Sequence, residues 1–141
     1  IESLVNVCQK LGTTNTGALI VLERNMPLDF VTETGDKMNI EFSEPIIESI
    51  FYKNSPLHDG AIVVKGDRIV ATRVILPIAG EGSLPKRYGL RHRAAVSITE
   101  KTDATAVVVS EETGHISYFK NGTFVKFKNN EELVSLIQKD F

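Results

Sequence analysis

The distribution of apolar and polar positions along the chain predicts several strands. Two short runs, 18–22 and 104–110, are apolar almost throughout and end in polar or turn residues. Such runs are typical of strands buried on both faces of a sheet. Four β-rich runs are joined in pairs by Gly66-Asp67 and Asn121-Gly122, dipeptides that favour tight turns. They predict two hairpins, one from residues 61–65 and 68–76 and one from 115–120 and 123–128.

Helical periodicity indicates four further elements. Apolar side chains recur on one stripe of each, which favours a helix packed against a core. These segments are residues 1–11, the segment after Ser43, residues 92–101, and the segment after Asn129 or Asn130. We expect Gly12 to stop the first helix, and the serine and asparagine side chains to cap the second and the last.

The segments between these elements predict loops. Residues 24–36 are polar and irregular, and residues 77–85 contain glycine and proline breaks without periodicity. The order of elements is helix, strand, helix, two strands, helix, three strands, helix. This order indicates an α/β fold with a central mixed sheet flanked by helices, forming a single domain over residues 1–141. Ligands of such sheets tend to bind beyond the strand ends.

Composition limits the classes of function. The chain has 141 residues, of which 42% are hydrophobic and 24% charged, with a net charge of −2. A chain without an overall positive charge is a poor candidate for nucleic-acid binding. The single cysteine, Cys8, excludes an internal disulfide and a cysteine-based zinc site, and its place on the first helical stripe predicts burial. No apolar run approaches the roughly 20 residues of a membrane span.

Arg91-His92-Arg93 forms a candidate anion site. Arginine binds phosphate oxygens with a planar fork, and free N–H groups at the start of a helix add to the attraction. Gly89 lies just before the cluster and lets a ligand approach the backbone. The alternative is a solvated surface patch, the usual role of a short basic cluster. The negative net charge favours a small anionic ligand over a long polyanion.

Two further polar clusters lie at predicted strand ends. Asp59, with His58 beside it, lies just before an apolar strand. A carboxylate at that place can hold Mg²⁺ or Mn²⁺. Ser110 can bind a phosphate, and Glu111 or Glu112 can complete a metal shell. Asp-Gly can also be only a turn, and the serine-glutamate segment only a polar hairpin end.

Together these clusters resemble the diadenylate cyclase domain, the DAC or DisA_N family. Leu57-His58-Asp59-Gly60-Ala61 matches its Asp-Gly-Ala motif, and Arg91-His92-Arg93 matches its Arg-His-Arg motif. Val109-Ser110-Glu111-Glu112-Thr113-Gly114 matches the segment that follows. The resemblance covers nearly the whole chain and is greatest to the CdaA type, whose cyclase domain follows transmembrane helices. It therefore implies a soluble fragment of a protein anchored at the cytoplasmic side of the membrane.

The resemblance implies a reaction in which two ATP molecules condense to cyclic di-AMP and two pyrophosphates. It also implies a Mg²⁺ or Mn²⁺ cofactor, with Co²⁺ as a further candidate. Each protomer of the family binds one ATP, and two protomers meet face to face as a homodimer. Regulatory protein partners are compatible with this assignment, whereas nucleic acid is not an expected partner.

Roles for individual residues follow from the matched motifs. The resemblance implies that Asp59 binds the metal and helps activate the 3′-hydroxyl, with His58 and one of Glu111 or Glu112 completing the metal shell. The remaining implied contacts are to the nucleotide: Arg91, His92 and Arg93 to the triphosphate, Ser110 to its terminal phosphate, Gly60 and Ala61 to ribose and adenine, and Ile75 and Leu76 to adenine.

Two positions depart from the family pattern. Leu90 stands where the family usually has threonine, and leucine cannot donate a hydroxyl to phosphate. Ile75 replaces the usual aromatic residue of the adenine pocket. Leu90 is the feature that favours the alternative function, a nucleotide-binding regulatory module with weak or lost catalysis. Binding of nucleic acid through Arg91 and Arg93 is disfavoured because no aromatic residues interleave with the arginines.

Overall fold

Five helices and seven strands make up residues 1–78 and 88–141, the part of the chain that the structure, a computed structural model, describes. The helices are α1 (Glu2–Thr13), α2 (Asp29–Thr32), α3 (Glu44–Phe51), α4 (Leu90–Lys101) and α5 (Asn130–Asp140). The strands are β1 (Ala18–Leu22), β2 (Asp36–Glu41), β3 (Ala61–Lys65), β4 (Arg68–Val74), β5 (Thr105–Val109), β6 (Ile116–Lys120) and β7 (Thr123–Val125).

These strands form one mixed sheet in the order β2-β4-β3-β1-β5-β6-β7. β1 and β3 are parallel, and the other described neighbours are antiparallel. Ala18 of β1 is paired with Val109 of β5, and Ala61 of β3 is paired with Val74 of β4. The starts of β1 and β3 and the ends of β4 and β5 therefore meet at one end of the sheet, which we call the cleft end.

The central strand β1 is buried on both faces, as its continuous apolar run predicts. Ile20 and Leu22 pack with α1, α3 and α5, whereas Leu19 and Val21 pack with α2 and α4 on the other face. Successive side chains of a strand point to opposite faces, so each contributes to a different core. Cys8 belongs to the first core and is fully buried, as predicted. The mixed sheet with helices on both faces confirms the predicted fold class.

Two of the predicted helix ends are confirmed, and one is wrong. The Ile46 N–H donates to Ser43 Oγ at 3.4 Å, and the Glu132 N–H donates to Asn129 Oδ1 at 2.9 Å. Gly12 does not stop α1, which continues to Thr13. A Cβ at Gly12 would lie only 2.4 Å from the Gly114 carbonyl oxygen, so the glycine permits close packing there.

The largest difference from the sequence prediction is the segment before α3. The loop predicted over residues 24–36 contains α2, and its last residue, Asp36, begins β2. β2 is an edge strand in which half-buried and exposed positions alternate. Only Met38 and Ile40 are apolar among its half-buried positions, so the strand pattern is weak. Arg73 Nε donates to Asp36 Oδ2 at 2.6 Å and links the edge strand to β4.

Several helices and strands also begin or end at residues other than those predicted. α4 begins at Leu90 rather than at 92, and α1 spans Glu2–Thr13 rather than 1–11. β4 ends at Val74, so Ile75 and Leu76 follow the strand instead of closing it. The other shortened strands are β5 (Thr105–Val109), β6 (Ile116–Lys120) and β7 (Thr123–Val125). Residues 79–87, most of the predicted loop over 77–85, lie outside the described residues.

No helix within residues 1–78 and 88–141 has the length and apolar character needed to cross a bilayer.

Candidate active site

A cleft of about 790 Å³ opens at the cleft end of the sheet. Its volume lies within the roughly 300–1,000 Å³ typical of small-molecule sites. We call it the central cleft. Besides the end of α3, Ile78 and Glu111, four separate parts of the chain line it, and the sheet topology brings these four together. They are the segment before and into β1 (Thr14, Asn15, Thr16, Gly17, Leu19), the entry to β3 (His58, Asp59, Gly60, Ala61), the exit of β4 (Val74, Ile75, Leu76) and the start of α4 (Leu90, Arg91, Ala94).

Asp59 offers an accessible carboxylate at the mouth of this cleft. Its side chain is 84% exposed, and its Oδ1 lies 3.1 Å from His58 Nε2. His58 Nδ1 lies 2.7 Å from the carbonyl oxygen of Ser55, which can only accept a hydrogen bond. Nδ1 therefore carries a proton, and in the neutral ring Nε2 carries the lone pair. A carboxylate oxygen and a ring nitrogen thus lie side by side.

Gly60 holds Asp59 in place through its backbone. Its φ of +84° lies in the left-handed region, which side chains rarely adopt. A Cβ here would also lie 2.9 Å from the Val74 carbonyl oxygen. The glycine of the predicted motif is thus needed where the start of β3 passes close to the end of β4.

The start of α4 brings Arg91 to the cleft. Gly89 is the N-cap residue, so Leu90, Arg91 and His92 occupy the first turn, where backbone N–H groups lack helical partners. The Arg91 side chain is 27% exposed, and its Nη1 lies 3.6 Å from Glu111 Oε1. The helix therefore begins two residues before the predicted start at residue 92, and it gives the site a partly buried cation next to free N–H donors.

His92 and Arg93 point away from the central cleft. His92 is 7% exposed, with its ring 5.1 Å from that of Tyr88 and 6.2 Å from that of Phe119. Burial lowers the pKa of His92 below its usual 6.5, the charge of Arg91 lowers it further, and Glu112 opposes both in part. His92 is therefore neutral at pH 7. Arg93 is half-buried and lines neither described cleft.

A second cleft of about 510 Å³ lies beside the first. It is formed by the start of α4 and the turn after β5, and it shares Leu90, Arg91 and Glu111 with the central cleft. Ser110 Oγ accepts hydrogen bonds from the N–H groups of Glu112 and Thr113, each at 3.2 Å. Its hydroxyl proton remains available to a ligand in this second cleft.

The donor groups at the two clefts fit a hard divalent cation. Within residues 1–78 and 88–141, no three His, Cys, Asp or Glu side chains gather closely enough to enclose a metal unaided. Mg²⁺ in nucleotide sites is usually held by one or two carboxylates, with phosphates and water completing the shell. Asp59 supplies such a carboxylate, and the Nδ1 hydrogen bond of His58 is typical of a metal-ligating histidine. Glu111 lines the same cleft, whereas Glu112 lines only the second one.

The part of the central cleft formed after β4 is apolar. Leu76 is buried, and Ile75 is 68% exposed. The Ile75 N–H donates to Thr34 Oγ1 at 2.9 Å, which fixes the chain just after β4. Three other exposed apolar side chains, Tyr52, Ile78 and Leu90, also line this cleft. The site is thus lined by both polar and apolar side chains.

Sequence reasoning missed the wall between α1 and β1. Asn15 and Gly17 line the cleft, and Asn15 has a positive φ of 51°. The run Thr13-Thr14-Asn15-Thr16-Gly17 directly before a buried strand was the available signal, since short polar runs at strand ends also marked the predicted clusters.

Comparisons with known proteins show the family to which the chain belongs. Residues 5–124 match the family model described as DAC, DisA bacterial checkpoint controller nucleotide-binding. The chain belongs to this family. A diadenylate cyclase, CdaS, of Bacillus thuringiensis is 44% identical over 84% of this chain and 59% of its own length. The cyclic di-AMP synthase CdaA of Bacillus subtilis is 36% identical over 100% of this chain and 52% of its own length.

A solved structure of the family has the same fold. The crystal structure of a double mutant of DacA from Staphylococcus aureus superposes with a TM-score of 0.93. It is 38% identical, and the match covers 98% of this chain and 92% of that chain. The chain spans about half the length of the CdaA protein that it matches.

Proposed function

We propose that this chain is the catalytic domain of a diadenylate cyclase, which condenses two ATP into cyclic di-AMP and two pyrophosphates. The observation that carries the proposal is that Asp59, Gly60 and Arg91 line one cleft. In the sequence, 30 residues lie between Gly60 and Arg91. The family and the names of the relatives support the same reaction.

We place the nucleoside in the central cleft and the phosphates at its junction with the second. Adenine rests on the apolar wall of Ile75 and Leu76, and Gly60 and Ala61 let the ribose lie close to the backbone. Arg91, shared by both clefts, binds phosphate oxygens together with the N–H groups of the α4 first turn.

The terminal phosphate extends into the second cleft. Ser110 lines that cleft, and its hydroxyl group donates a hydrogen bond to a phosphate oxygen. The neutral ring of His92 lines it as well. Arg93, which lines neither described cleft, would add only the longer-range attraction of its charge from the next position of α4. A short second cleft of this kind suits the β- and γ-phosphates and the departing pyrophosphate.

In the reaction, the 3′-oxygen of one ATP attacks the α-phosphorus of the other, and the bond to pyrophosphate breaks. Asp59 holds the attacking hydroxyl and accepts its proton. A Mg²⁺ or Mn²⁺ ion (or Co²⁺), held by Asp59, His58 and one of Glu111 or Glu112, would neutralise phosphate charge when bound. Phosphoryl transfer of this kind depends mostly on positioning and charge neutralisation.

We also propose a face-to-face homodimer, because one site holds only one of the two nucleotides. The rim of the central cleft carries exposed apolar side chains, among them Leu90 at 74%, Tyr52 at 57% and Ile75 at 68% exposure. Exposed apolar groups around an open polar site are typical of a surface that another protomer covers. We propose further that the whole protein is anchored to the membrane with this domain on the cytoplasmic side, as in the CdaA type.

The test is to incubate the protein with ATP and Mn²⁺ at several protein concentrations and to follow the products by chromatography. We expect cyclic di-AMP, with a rate that rises faster than linearly with protein concentration because the reaction needs two protomers. A strictly linear rate at concentrations where size-exclusion chromatography shows only monomer would contradict the dimer, and the absence of product with every metal would contradict the activity.

A nucleotide-binding regulatory module without catalysis is the second candidate. Leu90 favours it, because this side chain lies where the two clefts join and offers no hydroxyl to phosphate. Binding of ATP without release of pyrophosphate under any metal would support this second function.

A further inference from the structure

Gly17, the residue directly before β1, lies under the guanidinium group of Arg91. A Cβ built on Gly17 would lie 2.6 Å from Nη1, 2.7 Å from Cζ and 3.1 Å from Nη2 of Arg91. Real Cβ atoms do not approach other heavy atoms this closely. The space that the guanidinium occupies therefore exists only because residue 17 has no side chain.

The guanidinium is bounded on a second side by Glu111, whose Oε1 lies 3.6 Å from Nη1. It is thus placed between the backbone before β1 and the turn after β5. These two segments are neighbours because β1 and β5 pair, with Ala18 opposite Val109. The position of Arg91 at the junction of the two clefts is set by groups from outside its own helix.

Gly17 differs in kind from the other glycines near the site. A side chain at Gly12 or Gly60 would meet backbone atoms, which cannot move without deforming the fold. At Gly17 the three nearest atoms all belong to the far end of a flexible side chain, that of Arg91. Gly17 also has no positive φ, so alanine fits its backbone conformation. A methyl group there should displace the guanidinium and leave the fold intact.

We propose that Gly17 is a positioning residue for the nucleotide site, and that its missing side chain fixes the Arg91 guanidinium where it meets phosphate. This inference rests on the proposed function in so far as the ligand is ATP. Gly17 itself makes no contact with the phosphates. Its effect on nucleotide binding acts through Arg91 alone.

The test is a double-mutant cycle of wild type, Gly17→Ala, Arg91→Ala and the double variant. The probes are the non-cleavable analogue α,β-methylene-ATP with Mg²⁺, and adenosine, which has no phosphate. We expect Gly17→Ala to weaken binding of the analogue about tenfold, the loss typical when a charged hydrogen bond is misplaced. Adenosine binding should not change. In the Arg91→Ala background, Gly17→Ala should cause no further loss, because the displaced group is absent.

A control variant separates this effect from a general loss of stability. Ile137→Val trims a buried side chain of α5 in the core that packs on the opposite face from α4. It lowers the melting temperature and should leave both affinities unchanged. Weaker adenosine binding by Gly17→Ala, or an additive loss in the double variant, would overturn the inference. If the wild type binds the analogue but makes no cyclic di-AMP, the inference stands and the proposed activity fails. Wild type that does not bind the analogue overturns both.

Discussion

Asp59→Asn separates the chemistry of the proposed site from the stability of the fold. The substitution keeps the size of the side chain and removes its negative charge. Asp59 is 84% exposed, and its carboxylate oxygen Oδ1 lies 3.1 Å from His58 Nε2. Exposed pairs contribute roughly 0.2–1 kcal/mol. We therefore expect the melting temperature to fall by less than about 4 °C for a domain of this size.

The expected effect on activity is much larger. Asp59 is proposed both to hold the metal and to accept the proton of the attacking hydroxyl. Loss of a group that transfers a proton in the transition state typically slows a reaction by about 10²–10⁴-fold. We expect the rate of cyclic di-AMP formation to fall at least about 10³-fold, which corresponds to roughly 4 kcal/mol in the activation barrier.

The assay follows product by chromatography with ATP and Mn²⁺, and a thermal melt is recorded on the same samples. Asp67→Asn is the matched control, because Asp67 is an exposed aspartate next to a glycine at the far end of the β3–β4 hairpin. It should retain full activity. Activity of Asp59→Asn within tenfold of wild type would refute the assigned role, and a large fall in melting temperature would show that Asp59 is structural.

Three further predictions concern stability, reactivity and turnover. Burial by itself would raise the pKa of Asp140, but hydrogen bonds from Lys120 and Tyr118 outweigh it and hold the pKa below its usual 3.8. The stability that this carboxylate contributes is present above its usual pKa of 3.8 and is lost as the pH falls through the lower pKa of the folded state. The melting temperature of Asp140→Asn should therefore decline less steeply than that of the wild type below about pH 4. Cys8 is fully buried, and burial raises its pKa to about 12. A thiol reagent at pH 8 should therefore modify it only after denaturant is added. Rapid labelling of the native protein would contradict its burial. Leu90→Thr introduces a hydroxyl where the two clefts join, so cyclic di-AMP formation should rise about two- to tenfold, the range of one net hydrogen bond; an unchanged rate would show that a hydroxyl is not needed there.

Local patterns allowed much of the fold to be predicted. The apolar run 18–22 became the two-sided strand β1, and the turn at Asn121-Gly122 joined β6 to β7 as expected. Ser43 and Asn129 cap helices because a short polar side chain can bond an N–H group three residues ahead, which depends on local sequence alone. The three motifs were also visible in sequence, and the resemblance that they carry agrees with the family match.

The edge strand β2 could not be predicted with the same ease. Its half-buried positions are only partly apolar, and its place in the sheet depends on pairing with β4, whose residues follow it by about 30 positions. Edge strands bury little of each side chain, so their composition carries a weak signal. The same limit applies to the short helix α2, whose four residues give too little periodicity to detect.

By itself, therefore, the sequence determined the type of most elements and the chemical character of three polar clusters. Only the tertiary structure decided which cluster faces which. The starts of β1 and β3 and the ends of β4 and β5 come together because the parallel pairing of β1 with β3 and the antiparallel pairings of β1 with β5 and of β3 with β4 fix the direction of each strand. That arrangement placed Arg91 against Gly17 and Glu111. His92, the next residue in the sequence, instead packs among aromatic side chains. Successive residues of a helix point about 100° apart, so neighbours in a motif need not share a site, and packing against the sheet selects the one that does.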